Sequence, residues 1–167
     1  MKGRELEIRP VVDAGVARAC AAIMAATSPW TRFGVSEEHC LSILTDPARQ
    51  AHASHDDRGV SGFVVLDLRG PLNGYINILC VREDCRAAGL GSALIEYAED
   101  KIFAQSPNSF ICVTSFNSGA RRLYERLGYR LVGVLTDFVA SGYDEVLLRK
   151  TRGSWKEFRA RKTDSGQ

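Results

Sequence analysis

Residues 75–81 read Tyr-Ile-Asn-Ile-Leu-Cys-Val, and a short turn later Leu90, Leu94, Ala98 and Ile102 recur at intervals of four with Ile95 alongside. The first run is apolar enough for a strand covered on both faces. The second is an amphipathic helix that needs an apolar surface to lie on. A strand and a helix so closely joined pack together, which makes this an α/β chain with residues 75–81 at the centre of the sheet, not at an edge.

The remaining elements are arranged around that unit. Residues 6–12 alternate and end near Pro10, predicting a strand, and Asp13 caps a helix striped by Val16, Cys20, Ile23 and Met24. Residues 28–34 read as a loop whose two aromatics, Trp30 and Phe33, serve a lid, a substrate contact or packing. Ser36, followed by Glu37 and Glu38, opens a second short helix through about Leu44. Strands over 50–54 and 60–69 flank a turn at 56–59, and a further turn at 70–74 leads into the central strand. After the amphipathic helix come a strand over 110–114 and a helix over 118–127 stopped by Gly128. Strands over 129–135 and 144–149 end the series, joined by a loop that holds Asp137, Phe138 and Tyr143. The order β-α-α-β-β-β-α-β-α-β-β describes a mixed sheet with helices on both faces.

Composition narrows the class. With 167 residues, 45% hydrophobic and 25% charged, disorder and fibrous classes are excluded, and a core of ordinary size needs no metal or disulfide staple. The longest apolar runs are too short for a bilayer span, and residues 1–5 carry no apolar secretion segment. Cys20, Cys40, Cys80, Cys85 and Cys112 form an odd set without a C-x-x-C pair, as expected of reduced thiols, mostly small buried hydrophobes, in a cytoplasmic protein. The net charge of +2 divides into −1 for residues 1–150, read as one domain, and +3 for residues 151–167, read as a solvated or disordered basic tail. No global basic field recruits nucleic acid, although Trp155 and Phe158 among the basic residues of the tail are also what an RNA or acidic partner would meet. His52 and His55, with Asp56 and Asp57, lack a third convergent metal ligand, so no metal is expected.

The segment Arg86-Ala87-Ala88-Gly89-Leu90-Gly91-Ser92 lies between the central strand and its helix. Unpaired amides and the helix dipole favour an anion there, and glycine lets a phosphate approach the backbone. A Gly-Lys-Ser/Thr ending is missing, so this is not a P-loop, and Leu94 breaks the dinucleotide-binding fingerprint. A strand-to-helix turn using glycine for geometry alone has the same form.

Two motifs together decide more than either alone. The first, Leu79 through Leu94, carries Arg86, Gly89 and Gly91; the second carries Asn117, Ala120, Leu123, Tyr124, Leu127, Gly128 and Tyr129. In order and spacing they resemble the R/Q-x-x-G-x-G/A and N-x-x-A-x-x-L-Y-x-x-L-G-F/Y elements of the GCN5-related N-acetyltransferase (GNAT) family. The resemblance covers all but the tail. It implies a mostly antiparallel seven-stranded sheet and acetyl-CoA as acyl donor, its pyrophosphate on the amides of Arg86, Ala87, Ala88, Gly89, Leu90, Gly91 and Ser92. It sets Leu79, Cys80 and Val81 along the pantetheine arm, the thioester between Val81 and Cys112, and Asn117 near the cofactor at the start of a helix, where an asparagine is also a plain N-cap.

Tyr124 matches the family tyrosine that serves the departing thiolate, and it shares a helical face with Leu123 and Leu127, as a core tyrosine would. Some members that acetylate protein N-termini carry a glutamate base on the fifth strand; Cys112 stands at that position here. A neutral thiol is a poor base. The role then falls to water, to another carboxylate or to no residue, which favours a weakly basic acceptor: at pH 7 about a tenth of an α-amine is neutral, against well under a thousandth of a lysine side chain. Trp30, Phe33, Tyr75, Asn77, Cys112, Phe138 and Tyr143 line the acceptor side in the family layout or simply pack. The implied activity is transfer of an acetyl group to a primary amine of a peptide, protein or small molecule by direct attack on the thioester. The alternative is a catalytically silent acyl-CoA-binding sensor or scaffold. A monomer and a homodimer are both compatible with the sequence.

Overall fold

The computed structural model describes residues 7–164. Its elements are β1 (Ile8–Pro10), α1 (Ala14–Ala25), α2 (Trp30–Phe33), α3 (Glu37–Leu44), β2 (Gln50–Asp56), β3 (Gly59–Asp67), β4 (Tyr75–Val81), a 3-10 turn (Glu83–Cys85), α4 (Leu90–Phe103), β5 (Asn108–Thr114), α5 (Ser118–Arg126), β6 (Arg130–Ala140), β7 (Tyr143–Thr151) and α6 (Trp155–Asp164). Seven strands form one sheet in the order β1-β2-β3-β4-β5-β7-β6, with β4 internal as expected. β1 with β2, β2 with β3, β5 with β7 and β7 with β6 are antiparallel, and β4 with β5 is parallel.

The chain divides into two compact units: residues up to Leu66 with Asn77–Tyr97, and Asp67–Ile76 with the residues from Ala98 on. In the first, α1 starts where the Asp13 side chain accepts from the amides of Gly15 and Val16, and α3 where Ser36 accepts from His39. Both helices bury cysteines and aliphatic residues in a core of Cys20, Ala21, Met24, Cys40, Leu44, Ala53, Phe63, Val65, Ile78 and Cys80. Gly62 is required by proximity: a Cβ there would stand 3.0 Å from the Cys80 carbonyl oxygen and 3.0 Å from Leu94.

The second unit buries Ile76, Ile102, Ile111, Val113, Val146 and Leu148, with Tyr129 fully enclosed and its hydroxyl 2.7 Å from that of Ser109. The carboxylate of Glu99 is buried and accepts from Lys150 at 2.6 Å. Gly74 has φ +98°, and its carbonyl accepts from the amide of Phe110 at 2.9 Å just before β4 begins.

Several expectations are corrected. The first strand is confined to Ile8–Pro10, with Leu6 of the expected span outside the described residues. Residues 30–33 form a helical turn, not a loop, ended by Gly34 at φ 65°. β4 alternates half-buried and buried residues, so Tyr75, Asn77, Leu79 and Val81 lie on a partly open face, not a covered one. β6 runs to Ala140, which places Asp137 and Phe138 on a strand, with Tyr143 opening the next. Asp137 takes φ 52° and its carboxylate accepts from the Gly142 amide at 2.6 Å, so this polar residue makes an irregularity inside the hairpin instead of ending the strand. Residues 155–164, expected as a solvated or disordered tail, form a mostly exposed helix. A capping box starts α6: the Ser154 amide donates to Glu157 Oε2 at 2.8 Å and the Glu157 amide to Ser154 Oγ at 3.3 Å.

Candidate functional site

In the first unit, β4 leads through the 3-10 turn into the loop at residues 86–89. Arg82 anchors the approach: its guanidinium donates to Asp84 at 2.7 Å, to Asp56 at 2.5 Å and to the Val60 carbonyl at 2.6 Å. The hydrogen bond from Arg82 leads the causes that hold the Asp56 carboxyl down at about 2. Beyond this clamp Ala87 takes φ 63° and Gly89 φ 82°, so two left-handed residues bend the exposed backbone within three positions. The Gly89 carbonyl accepts the first helical bond, from Ala93 at 3.1 Å. The amides of Leu90, Gly91 and Ser92 therefore precede any intrahelical acceptor, at the positive end of a helix of 14 residues. A Cβ on Gly89 would meet nothing within 4 Å, so the glycine serves its left-handed φ and leaves the backbone uncovered. This cradle fits a phosphate. The Arg86 side chain, exposed beside it, donates back to the Val81 carbonyl at 3.3 Å.

In the second unit, β5 and β7 carry the chemistry-bearing side chains. Thr114 is the register partner of Glu145 and Cys112 that of Leu147; side chains two apart share a face. Tyr75, partner of Phe110 on β4, belongs to the same face. The Thr114 hydroxyl donates to Glu145 Oε1 at 2.6 Å, and both residues are buried. Burial pushes the Glu145 carboxyl up, partly offset by Thr114. Burial likewise raises the Cys112 thiol, partly offset by the hydroxyl of Tyr75, which hydrogen-bonds it. The Tyr75 phenol is raised by burial first and then by Cys112, Glu145 and Tyr124. Phe116 and Tyr143 stack edge to face at 5.6 Å.

Tyr124 is buried on α5, its ring 6.3 Å from that of Tyr129, and its hydroxyl is near enough to raise the phenol of Tyr75. Asn117 caps α5, its side chain accepting from the Ala120 amide at 3.2 Å. Thus the second unit brings together Tyr75, Cys112 and Tyr124 of the expected residues. It adds Thr114, Glu145 and Phe116, which sequence reasoning missed. The signal for Glu145 was weak, because Asp144 and Glu145 together read as the polar opening of the Val146-Leu147-Leu148 run, and only the register with β5 shows that Glu145 is buried.

Other expected residues are placed differently. Trp30 packs on the core of the first unit, Phe33 is half-buried on α2, and Phe138 is exposed on β6. The Cys80 side chain points into that core, burial pushing its thiol up to about 12, which leaves only its backbone for a ligand. Asn77, Leu79 and Val81 lie on the half-buried face of β4. His52 is buried with Nδ1 3.0 Å from the Tyr97 hydroxyl. No group of three or more metal-ligating side chains occurs among the described residues. No helix among them is long and apolar enough to cross a membrane.

The profile of the acetyltransferase (GNAT) family matches residues 19–129. An uncharacterized N-acetyltransferase of Methanocaldococcus jannaschii is 35% identical over 102 residues, 58% of this chain and 65% of that protein, so the match spans about two thirds of the relative's length. Among solved structures, Arabidopsis thaliana NAA60 in complex with acetyl-CoA has a TM-score of 0.72 at 20% identity, covering 90% of this chain and 100% of that one. The ribosomal-protein-S18-alanine N-acetyltransferase of Escherichia coli has a TM-score of 0.72 at 17% identity, covering 90% and 96%. At such identities the likeness to the solved structures is one of fold.

Proposed function

The chain belongs to the acetyltransferase (GNAT) family, and from that premise we propose that it is an acetyl-CoA-dependent N-acetyltransferase acting on a primary amine. The observation that carries this reading is the exposed loop bent by left-handed Ala87 and Gly89 onto the start of α4, where the amides of Leu90, Gly91 and Ser92 precede the first helical bond; the Arg86 amide already donates to the Glu83 carbonyl at 3.3 Å, so Arg86 contributes its side chain and not its N–H. That cradle holds the pyrophosphate of acetyl-CoA, with Arg86 adding a charge-assisted contact. The backbone of Leu79, Cys80 and Val81 runs along the pantetheine arm, and Asn117 lies near the cofactor. The neutral amine attacks the thioester carbonyl, backbone amides polarise that carbonyl, and the Tyr124 hydroxyl protonates the departing thiolate. The aromatic and polar residues Trp30, Phe33, Tyr75, Asn77, Phe138 and Tyr143, with Cys112, are the candidates to meet the acceptor.

The acceptor class supported is a weakly basic amine such as a peptide α-amine, and the five free thiols suit a reducing compartment such as the cytoplasm. The test is release of CoA from acetyl-CoA in the presence of peptides with free N-termini, an aminoglycoside and spermidine. Tyr124→Phe is expected to lower kcat at least about ten-fold while acetyl-CoA affinity holds. Unchanged kcat in that variant rejects the role given to Tyr124. A second reading, an acyl-CoA-binding module without turnover, is favoured by the half-buried, neutral Cys112 thiol; tight acetyl-CoA binding with no CoA released on any acceptor supports it.

A further inference from the structure

We infer that Glu145 is the general base of this protein, taking a proton from the acceptor ammonium on the face of the sheet shared by Thr114, Cys112 and Tyr75. The inference rests on the N-acetyltransferase reading above and extends it to the residue that prepares the nucleophile.

An amine that arrives protonated cannot attack a thioester, so some group must accept its proton. The titratable side chains gathered on this face of the second unit are few. Cys112 and Tyr75 are both driven toward their neutral forms by burial, and each donates a proton more readily than it takes one up from an ammonium. Glu145 is the one carboxylate among them. It stands opposite Thr114 in the register and two residues from Leu147, the partner of Cys112, which places it on the diagonal from the thiol. Its negative charge is felt by both Cys112 and Tyr75.

The way Glu145 is held separates it from a structural carboxylate. Glu99, the other buried glutamate of this unit, is neutralised by Lys150 at 2.6 Å. Among the described residues Glu145 has no such cation; its recorded bond is the hydroxyl of Thr114, which accommodates a carboxylate and a carboxylic acid alike. Burying a carboxylate without a counter-ion costs stability, and sites of this kind are where a base is tuned toward neutral pH. The shift at Glu145 has that direction. Access is provided by its neighbours: Cys112 and Tyr75 are only half-buried, and the edge-to-face pair Phe116 and Tyr143 stands two residues beyond Thr114 and two before Glu145 along their chains.

The proton balance is simple. The Glu145 carboxylate takes one proton from R–NH3+, directly or through one water, leaving R–NH2 and the carboxylic acid. The nitrogen lone pair then forms the C–N bond, and collapse of the tetrahedral intermediate breaks the C–S bond. The thiolate takes a proton from the Tyr124 hydroxyl, which is restored by the second proton lost from nitrogen. Glu145 returns its proton to solvent.

The test compares wild type, Glu145→Gln and Glu145→Asp with whichever of an alanine-initiated peptide, an aminoglycoside and spermidine gives the fastest CoA release. Glutamine keeps the shape and can still accept from Thr114, so acetyl-CoA binding by calorimetry and the thermal midpoint should hold, the latter rising or staying level as the burial cost disappears. The expected result is a fall in kcat of about a hundred-fold or more for Glu145→Gln at pH 7, with partial recovery in Glu145→Asp. The wild-type pH–rate profile should show an ionisation that the glutamine variant lacks. The other ionisable side chains around Glu145 are Cys112 on β5, Tyr75 on β4, and Tyr143 and Asp144 on its own strand, while β6 presents Leu135 opposite; a Cys112→Ser control should keep the Glu145 ionisation. Turnover of Glu145→Gln within about three-fold of wild type, with an unchanged profile, overturns the assignment. Wild type that binds acetyl-CoA and releases no CoA with any of the three acceptors overturns the N-acetyltransferase reading itself, and the assignment with it.

Discussion

Replacing Gly74 with alanine puts two separate costs on one position. The backbone there has φ +98°, a conformation that an L side chain pays roughly 1–2 kcal/mol to adopt. The new Cβ would also stand 2.3 Å from the Asn108 carbonyl oxygen, 2.7 Å from Ile102 Cγ2 and 3.3 Å from Ser106 Oγ. None of these can retreat cheaply. The Asn108 carbonyl accepts from Ser106 at 2.9 Å, Ile102 is fully buried, and Ser106 also donates to the Asn73 carbonyl at 2.9 Å. Relieving such overpacking costs about 1–3 kcal/mol more. The total, about 2–5 kcal/mol, corresponds to a fall in thermal midpoint of roughly 4–20 °C for a chain of this size. Gly70 provides the control, because its φ is +80° and a Cβ on it would meet nothing within 4 Å. Gly70→Ala should show the backbone cost alone. Urea denaturation of both variants separates the two contributions, since a shift in midpoint without a change in slope reports stability. The reasoning is refuted if the two variants lose equal stability within about 0.5 kcal/mol. Because Gly74 precedes Tyr75, whose pairing with Phe110 begins the parallel ladder, its alanine variant should also slow CoA release.

Two further predictions follow from buried ionisable groups. Lys150→Met leaves the Glu99 carboxylate enclosed without its cation, and loss of one partner of a buried pair should cost about 3–5 kcal/mol by chemical denaturation, here toward the lower end because Lys150 is itself 30% exposed. A loss below about 1 kcal/mol would mean that the pair is solvated. Burial pushes the Cys20 and Cys80 thiols up to about 12, so the folded protein keeps both protons while the unfolded chain gives them up near pH 9. The contribution of these two thiols should therefore be flat below about pH 8 and fall between about pH 9 and 12, by roughly 1.4 kcal/mol per pH unit for each thiol. Urea midpoints that are the same at pH 8 and pH 10 would contradict this.

What could be read from the sequence depended on how local the signal was. The β4-loop-α4 unit was legible as strand, turn and helix because an apolar run, two glycines and a four-residue spacing sit within thirty positions, although the run was read as covered on both faces and has one partly open face. The second motif was equally local, from Asn117 to Tyr129. Features that arise from pairing were not legible. Asp137 has the composition of a loop residue, yet a left-handed φ and a bond to Gly142 keep it inside a strand. Trp30 and Cys80 were placed at the acceptor and cofactor side, but helix and strand phase turns both toward the core of the first unit. The Ser154-x-x-Glu157 box was present in the sequence and outweighed by the charge of the tail. Glu145 needed the β5–β7 register before its neighbours could be named.

The account as a whole turns on whether an acetyl group leaves acetyl-CoA for an amine on this chain. The most direct measurement incubates the purified protein with acetyl-CoA and the amine panel, quantifies free CoA thiol, and identifies the acceptor product by mass spectrometry. The account predicts one N-acetylated amine for every CoA released, with release dependent on the acceptor. CoA released equally with and without acceptor, or acetyl-CoA bound and recovered intact, would contradict it.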